Sequence, residues 1–77
     1  MNITVYTKSN CPNCTAAKQL LQSKWLGYIE VDVEKQGPNM VRELAQIGVR
    51  QMPQIFIDGQ RVGGLAGLQA ALKQVGL

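Results

Sequence analysis

The chain has 77 residues, a length that predicts one domain over residues 1–77 with a small core. Eight Lys and Arg against five Asp and Glu give a net charge of +3. The basic residues are scattered along the chain and aromatic residues are few, and both observations argue against nucleic-acid binding. The sequence shows no leader-like start and no apolar run of about 18 residues, so we expect a cytoplasmic protein that does not enter membranes.

The first predicted elements are a strand and a helix that meet at two cysteines. Residues 2–6 alternate polar and apolar side chains, and residues 12–24 carry Ala, Leu, Lys and Gln at helical spacing. Cys11 falls where the helix N-cap belongs, and Pro12 suits the first helical position because its missing N–H would be unpaired there anyway. Cys14 follows one turn later on the same side of the helix.

This helix should pack on a sheet through one apolar face, composed of Ala17, Leu20, Leu21 and Trp25. Gly27 is placed to end it in the left-handed conformation, and an alternating strand is expected over residues 28–33. A strand, a helix and a strand in this order predict a parallel βαβ unit. The acidic side chains of the second strand are interpreted as a solvated face and not as a metal site: Glu30, Asp32 and Glu34.

The second half of the chain predicts two more helices with a hairpin between them. A helix should run from Pro38 or Asn39 to about Ile47, bury Met40, Val41 and Leu44, and end at Gly48.

After Pro53, which cannot donate a ladder hydrogen bond, the pattern predicts a strand over residues 54–57. Asp58-Gly59 indicates a hairpin turn into a short antiparallel strand over residues 61–63. A last helix over about residues 65–75 should bury Leu65, Leu68, Leu72 and Val75.

The two cysteines, three residues apart at a helix start, predict a redox pair. A Cys11 thiolate would face the unpaired N–H groups of Asn13 and Cys14 and the positive end of the helix dipole, so its pKa should fall from about 8.5 into the range of roughly 3.5 to 7.5. Lys8 adds a nearby cation. Cys11 is then the expected nucleophile and Cys14 the resolving thiol.

Two other uses of the cysteines remain open on these residues alone. A zinc site would need a second copy of the chain, since there is no histidine and only two cysteines. A purely structural disulfide would close so short a loop that it would stabilise the fold little. Because residues 1–29 and 59–77 contain no Asp or Glu, we expect the ends of the chain to form an electropositive site suited to an anionic thiol.

Three motifs together resemble the glutaredoxins, within the thioredoxin-like superfamily. They are Tyr6-Thr7-Lys8 ahead of Cys11-Pro12-Asn13-Cys14, then residues 51–59, and then Val62-Gly63-Gly64. The resemblance implies an α/β, thioredoxin-like fold in its glutaredoxin form, a four-stranded mixed sheet with three helices on its two faces in the order βαβαββα. It also implies a monomeric dithiol glutaredoxin that reduces disulfide-containing proteins, holds no bound cofactor and uses glutathione as reducing co-substrate.

The same resemblance assigns binding roles to residues outside the cysteine pair. It implies that the Met52-Pro53 peptide is cis and that Met52 offers its backbone N–H and C=O groups to a substrate. Gly63, Gly64 and the helix start at Leu65 would meet the γ-glutamyl carboxylate of glutathione. The other expected substrate-binding residues are Lys8, for the glycyl carboxylate, Tyr6, beside the groove, and Pro12 and Asn13.

The chain departs from the family pattern in two places. Asn13 stands where an aromatic or bulky residue is usual, and Ala66 and Gly67 stand where an acidic residue is usual. Residues 49–53 resemble the glutaredoxin-like hydrogen donors of ribonucleotide reductase, which take electrons from thioredoxin reductase, and this is the alternative function. A more remote alternative is an iron–sulfur cluster carrier, which would be brown when purified.

Overall fold

The computed structural model describes residues 1–36, 38–46 and 51–77. In this part of the chain the elements follow the predicted order: β1 (Ile3–Thr7), α1 (Pro12–Ser23), β2 (Ile29–Asp32), α2 (Pro38–Gln46), β3 (Gln54–Ile57), β4 (Gln60–Gly63) and α3 (Leu65–Gln74). No helix within these ranges is long and apolar enough to cross a membrane. The predicted ends of the second helix at Ile47 and Gly48, and the side chains of Met40, Val41 and Leu44, lie outside the described residues.

The strands form one mixed sheet in the order β2-β1-β3-β4. β1 runs parallel to β2, with Thr7 opposite Asp32, and this pairing confirms the predicted βαβ unit. β3 is antiparallel to both β1 and β4. Because β1 is a central strand, its end at Thr7 leads the chain from the middle of the sheet to the cysteine helix.

The core lies between the sheet and the two helices α1 and α3. Ile3 and Val5 point to one face of β1, and Val5 pairs directly with Ile55 of β3. The buried cluster consists of Ile3, Val5, Ala17, Leu21, Ile55, Leu68 and Leu72. Full burial of each large aliphatic side chain contributes about 1.5 to 3 kcal/mol, so this cluster fixes α1 and its N-terminus against the sheet.

Trp25 was expected on the buried face of α1, and this prediction is wrong because its side chain is 94% exposed. The helix ends at Ser23, and Trp25 itself has the left-handed conformation, with φ 58°, that was predicted for Gly27. The N–H of Leu26 then donates to the carbonyl of Leu21 at 3.0 Å, as in a Schellman motif. This turn takes Trp25 out of the helical period before its side chain can return to the core.

Val75 is a second apolar residue that the periodicity places wrongly. Leu68 and Leu72 are buried and Leu65 packs against the core, as predicted, but Val75 is 58% exposed. α3 ends at Gln74, one residue earlier than expected, and Val75 is only its C-cap.

The strand β2 does not show the burial alternation that the sequence predicts. Ile29 is 66% exposed, and Glu30 next to it is exposed as well. Exposure instead decreases along this edge strand, from Ile29 and Glu30 to the half-buried Val31 and Asp32.

The hairpin between β3 and β4 forms at the predicted turn. Asp58 and Gly59 both have positive φ, 51° and 82°, as a two-residue type I′ turn requires. The register shifts between Ile55, which lies opposite Gly63, and Phe56, which lies opposite Arg61. The resulting bulge ends β4 at Gly63, where φ is 98°, and redirects the chain into α3.

Candidate active site

Cys11 is the N-cap of α1, as predicted. Its backbone is extended, with φ −123° and ψ 94°, and Pro12 occupies the first helical turn. The N–H of Cys14 donates to Cys11 Sγ at 3.1 Å. Of the two N–H groups expected to face this sulfur, the one that makes the hydrogen bond is therefore that of Cys14. The sulfur atom of Cys11 lies at the positive end of the helix dipole, where a thiolate is stabilised.

The two cysteines are joined by a disulfide bond. Their Cα atoms are 5.2 Å apart, within the ordinary range for a disulfide. Cys14 is only 2% exposed, whereas Cys11 is half-buried and reaches the surface. An incoming group can therefore approach the sulfur of Cys11 more readily than that of Cys14.

The Met52-Pro53 peptide lies beside the cysteine pair and is cis, as the family resemblance implied. The carbonyl oxygen of Met52 is 3.4 Å from Cys11 Sγ. Pro53 is buried, and Gln54 closes the turn by donating from Nε2 to the carbonyl of Gln51 at 2.9 Å. The backbone of Met52 is thus in direct contact with the more exposed sulfur.

The glycine pair before α3 adjoins the same loop. A Cβ atom on Gly64 would lie 3.5 Å from the carbonyl oxygen of Pro53, so the two backbones pass close together. Gly64 is the N-cap of α3, with no side-chain cap, and the first turn of the helix contains no acidic residue. The N–H of Leu68 bonds to the Gly64 carbonyl at 2.9 Å, which leaves the N–H groups before it outside the helical ladder.

Gly67, one of the two departures from the family pattern in α3, has a structural reason to lack a side chain. A Cβ atom built on it would overlap the carbonyl group of Val62, with the carbonyl carbon only 2.8 Å away. Ala66, its neighbour, is exposed. An acidic side chain at this helix start is therefore sterically possible at position 66 and not at position 67.

The comparison with known proteins agrees with this geometry. Residues 3–62 match the family model named Glutaredoxin. The chain belongs to the glutaredoxin family. Glutaredoxin 3 of Escherichia coli K12 is 37% identical over 76 residues, a match that covers 99% of this chain and 92% of that protein. With its Cys11–Cys14 pair, this glutaredoxin is a thiol–disulfide oxidoreductase.

Two solved structures show the fold of this glutaredoxin again at lower sequence identity. A buckwheat glutaredoxin in complex with glutathione superposes with a TM-score of 0.79 at 21% identity, covering 95% of this chain and 69% of that one. The glutaredoxin-like protein NrdH-redoxin of Escherichia coli, which has a thioredoxin-like activity profile, superposes with a TM-score of 0.75 at 24% identity, covering 91% and 93%. Both confirm the predicted thioredoxin-like glutaredoxin fold.

The remaining predicted binding residues lie just before and just after Cys11 along the chain. Lys8, Pro12 and Asn13 are exposed, Lys8 in the loop before Cys11 and the other two in the first turn of α1. Tyr6 is half-buried on the opposite face of β1 from Val5, where its ring packs edge-on against Phe56 with centroids 5.7 Å apart.

The side chain of Leu65 packs against the core, so a role for it in binding would use its backbone N–H. The binding roles of all the expected substrate-binding residues stay predictions: Tyr6, Lys8, Pro12, Asn13, Met52, Pro53, Gly63, Gly64 and Leu65.

Glu30, interpreted from the sequence as part of a solvated face, connects three elements. Its carboxylate accepts a hydrogen bond from the Thr7 hydroxyl at 2.8 Å and forms an ion pair with the Lys18 ammonium of α1 at 3.1 Å. The Thr7 hydrogen bond and the Lys18 ammonium hold the pKa of Glu30 below its ordinary value. Through these contacts β2 is tied to the end of β1 and to the cysteine helix.

Glu34, interpreted as part of the same solvated face, is exposed, but its carboxylate makes a contact that the sequence did not predict. It accepts hydrogen bonds from the N–H and the hydroxyl of Ser9, two residues before Cys11. The loop that leads to Cys11, expected to lie in an electropositive site, is therefore in contact with a carboxylate. The signal lies in the register: Thr7 pairs with Asp32, so Ser9 and Glu34 are each two residues beyond a paired position.

Proposed function

We propose that this chain is a glutathione-dependent disulfide oxidoreductase in which Cys11 attacks and Cys14 resolves. The observation that supports these roles is the asymmetry of the pair. Cys11 reaches the surface and accepts the N–H of Cys14 at 3.1 Å, whereas Cys14 is 2% exposed. A thiolate is the nucleophile in disulfide exchange, and the sulfur that can be both reached and stabilised as a thiolate is that of Cys11.

The proposed cycle has two halves, and each consists of two thiol–disulfide exchanges: reduction of the substrate disulfide, and then reduction of the Cys11–Cys14 disulfide by glutathione. The Cys11 thiolate attacks one sulfur of a substrate disulfide, forms a mixed disulfide and releases the other sulfur as a thiolate. Cys14, deprotonated, then attacks Cys11 Sγ, releases the second substrate thiol and forms the Cys11–Cys14 disulfide seen in this structure. One glutathione reopens this bond as a mixed disulfide on Cys11. A second glutathione attacks that glutathione sulfur, so oxidised glutathione leaves and both cysteines are reduced.

The proposed glutathione groove uses the backbone around the pair. Met52 lies against Cys11, and the start of α3 at Gly64 lies against Pro53, so a ligand attached to Cys11 could reach backbone groups of both. The carboxylate of the γ-glutamyl group would accept from the free N–H groups at the start of α3, and Lys8 would meet the glycyl carboxylate. The family resemblance and the glutathione complex of the buckwheat glutaredoxin support this assignment.

One group of glutathione has no predicted partner in this groove. Residues 59–77 contain no Asp or Glu, and the structure shows that position 67 has no room for one. The γ-glutamyl ammonium would therefore have no carboxylate partner at the start of α3, and we propose that glutathione binds more weakly here than in relatives with an acidic residue at this helix start.

The same observation favours a second candidate function, that of a hydrogen donor for ribonucleotide reductase recycled by thioredoxin reductase. The similarity in fold to NrdH-redoxin, with its thioredoxin-like activity profile, supports this alternative. Both candidates use the same cysteine chemistry and differ in the reductant.

A comparison of two coupled assays tests the proposal. Reduction of a model disulfide is followed as NADPH consumption, either with glutathione and glutathione reductase or with thioredoxin reductase alone. The proposal expects turnover with glutathione that saturates only at high concentration. Turnover with thioredoxin reductase and none with glutathione would overturn the proposal in favour of the hydrogen donor. Turnover with neither would exclude both reductants.

A further inference from the structure

The loop that delivers Cys11 to its helix has little packing of its own. β1 ends at Thr7 and Cys11 is already the N-cap of α1, so the loop consists of Lys8, Ser9 and Asn10. All three are exposed, and Asn10 has a left-handed backbone with φ 54°. The side chains of this loop therefore take no part in the buried core, although the position of Cys11 Sγ depends on the loop.

A carboxylate from the turn that follows β2 contacts this loop instead. Glu34 Oε1 accepts from the Ser9 N–H at 2.7 Å and from Ser9 Oγ at 2.8 Å, and Oε2 lies 3.0 Å from the same hydroxyl. These are charge-assisted hydrogen bonds, which are about twice as strong as neutral ones.

Glu34 is itself held in place by the chain just before it. Its N–H donates to Asp32 Oδ1 at 3.0 Å. The N–H of Val33 donates to the carbonyl of Thr7 at 2.9 Å, which extends the β1–β2 pairing to this point. Ser9 is thus connected through Glu34 to the rigid part of the sheet.

We propose that Glu34 is a positioning residue for the reactive thiol, acting through the backbone of Ser9. By holding the loop two residues before Cys11, it keeps Cys11 Sγ over the N–H of Cys14 at the start of α1. The inference rests on the proposed role of Cys11 as the nucleophile and not on which reductant serves the protein.

The charge of Glu34 acts on a thiolate in the opposite direction from its hydrogen bonds. A carboxylate near Cys11 disfavours the thiolate, whereas a fixed loop favours it by preserving the Cys14 N–H contact. Among the described residues, the Met52 carbonyl oxygen lies 3.4 Å from this sulfur, Lys8 is an exposed cation three positions before Cys11, and Asp32 accepts from the N–H of Glu34. Two variants separate position from charge.

Glu34→Ala removes the hydrogen bonds and the charge together. Glu34→Gln keeps one acceptor oxygen for the Ser9 N–H, can donate from its amide to Ser9 Oγ, and removes only the charge. Matched controls are Glu43→Ala and Glu43→Gln, because Glu43 is an exposed carboxylate on α2 and its loss changes the net charge equally.

The measurement is the rate of alkylation of reduced protein by iodoacetamide against pH, with the modified cysteine identified by mass spectrometry. For Glu34→Ala we expect the alkylation rate of Cys11 at pH 7 to fall about fivefold and its inflection to move to higher pH. The reason is that the Cys11 thiolate loses part of its charge-assisted hydrogen bond from the Cys14 N–H once the loop is no longer held. Glu34→Gln should react at least as fast as the wild type, and both Glu43 variants should match it. Thermal unfolding of each variant is measured in parallel.

Two results would overturn the inference. In the first, Glu34→Ala keeps the wild-type rate and inflection, with or without a lower melting temperature, and Glu34 then only stabilises the fold. In the second, Glu34→Gln slows as much as Glu34→Ala. If Glu34→Ala does not fold, Ser9→Ala serves instead, because it removes the hydroxyl contacts and keeps the backbone one; we expect about a twofold decrease, and an unchanged rate would again contradict the role. None of these readouts uses glutathione or a reductase, so failure here is distinct from failure of the proposed reductant.

Discussion

An acidic residue introduced at position 66 should supply a carboxylate partner for the γ-glutamyl ammonium of glutathione, which this helix start lacks. Ala66 is exposed in the first turn of α3, two residues after Gly64, so an Asp there projects from the helix start that we propose binds glutathione. We expect Ala66→Asp to lower the apparent KM for glutathione and to leave kcat nearly unchanged, because the added contact stabilises ground and transition states alike.

The exposure of position 66 sets the size of this effect. A buried charge-assisted hydrogen bond contributes about 1.5 to 3 kcal/mol, whereas an exposed ion pair contributes about 0.2 to 1 kcal/mol. For an open helix start we take about 1 kcal/mol, which corresponds to roughly a fivefold lower KM at 1.4 kcal/mol per factor of ten.

The assay measures initial rates against glutathione concentration in the coupled glutathione reductase system. Ala66→Asn is the matched control, since it has nearly the same shape and no charge, and its KM should stay near that of the wild type. Raising the salt concentration should weaken the gain for Asp, because exposed ion pairs are screened.

Equal KM values for the Asp and Asn variants would refute the reasoning and show that the ammonium does not lie near this helix start. Position 67 cannot replace position 66 in this test. Gly67→Asp should instead lower the melting temperature, because its Cβ would overlap the Val62 carbonyl group.

Three further predictions follow from the cysteine pair, from Glu30 and from Trp25. Cys11→Ser should abolish all thiol transfer, whereas Cys14→Ser should keep activity on glutathione mixed disulfides and lose it on protein disulfides. When the reduced wild type is alkylated at different pH values, the rate for Cys11 should show an inflection below about pH 8.5. An inflection at or above this value would contradict the activation of Cys11. The pKa of Glu30 is lowered from its ordinary value of 4.5, so its stabilising contacts are present at neutral pH and are lost as the pH falls below 4.5 and through the lowered pKa. The melting temperature of Glu30→Gln should therefore decrease less over this acid range than that of the wild type. Equal acid slopes for variant and wild type would contradict this. Trp25→Gly should raise the melting temperature by about 4 to 8 °C, because glycine relieves roughly 1 kcal/mol of left-handed strain while little packing is lost; Trp25→Ala, which retains the strain, should show no such gain.

Local chemistry made much of this protein predictable. A proline suits the first turn of a helix, and an Asp-Gly pair suits a type I′ turn, so α1 and the β3–β4 hairpin were predicted where the structure has them. The cysteine pair at the helix start was predicted for the same reason, since capping depends on neighbours along the chain. The cis Met52-Pro53 peptide followed from the family resemblance, because base rates alone favour trans.

The three-dimensional arrangement decided what periodicity could not. Trp25 continues the apolar period of α1, yet the helix ends at Ser23 and the Schellman turn that follows leaves the Trp25 side chain in solvent. Gly67 faces the Val62 carbonyl and cannot carry a side chain because α3 packs against β4, a contact that no local pattern predicts.

The contact between Glu34 and Ser9 is the clearest case of this kind. The two residues are 25 positions apart, and no local pattern relates them. They meet because β1 and β2 pair in parallel with Thr7 opposite Asp32, a register that depends on how α1 packs on the sheet. The sequence by itself determined which residues could form caps, turns and a redox pair, since those depend on near neighbours. Which distant side chains come together around Cys11 was decided by strand register and helix packing, because contacts between remote parts of a chain exist only once the core has formed.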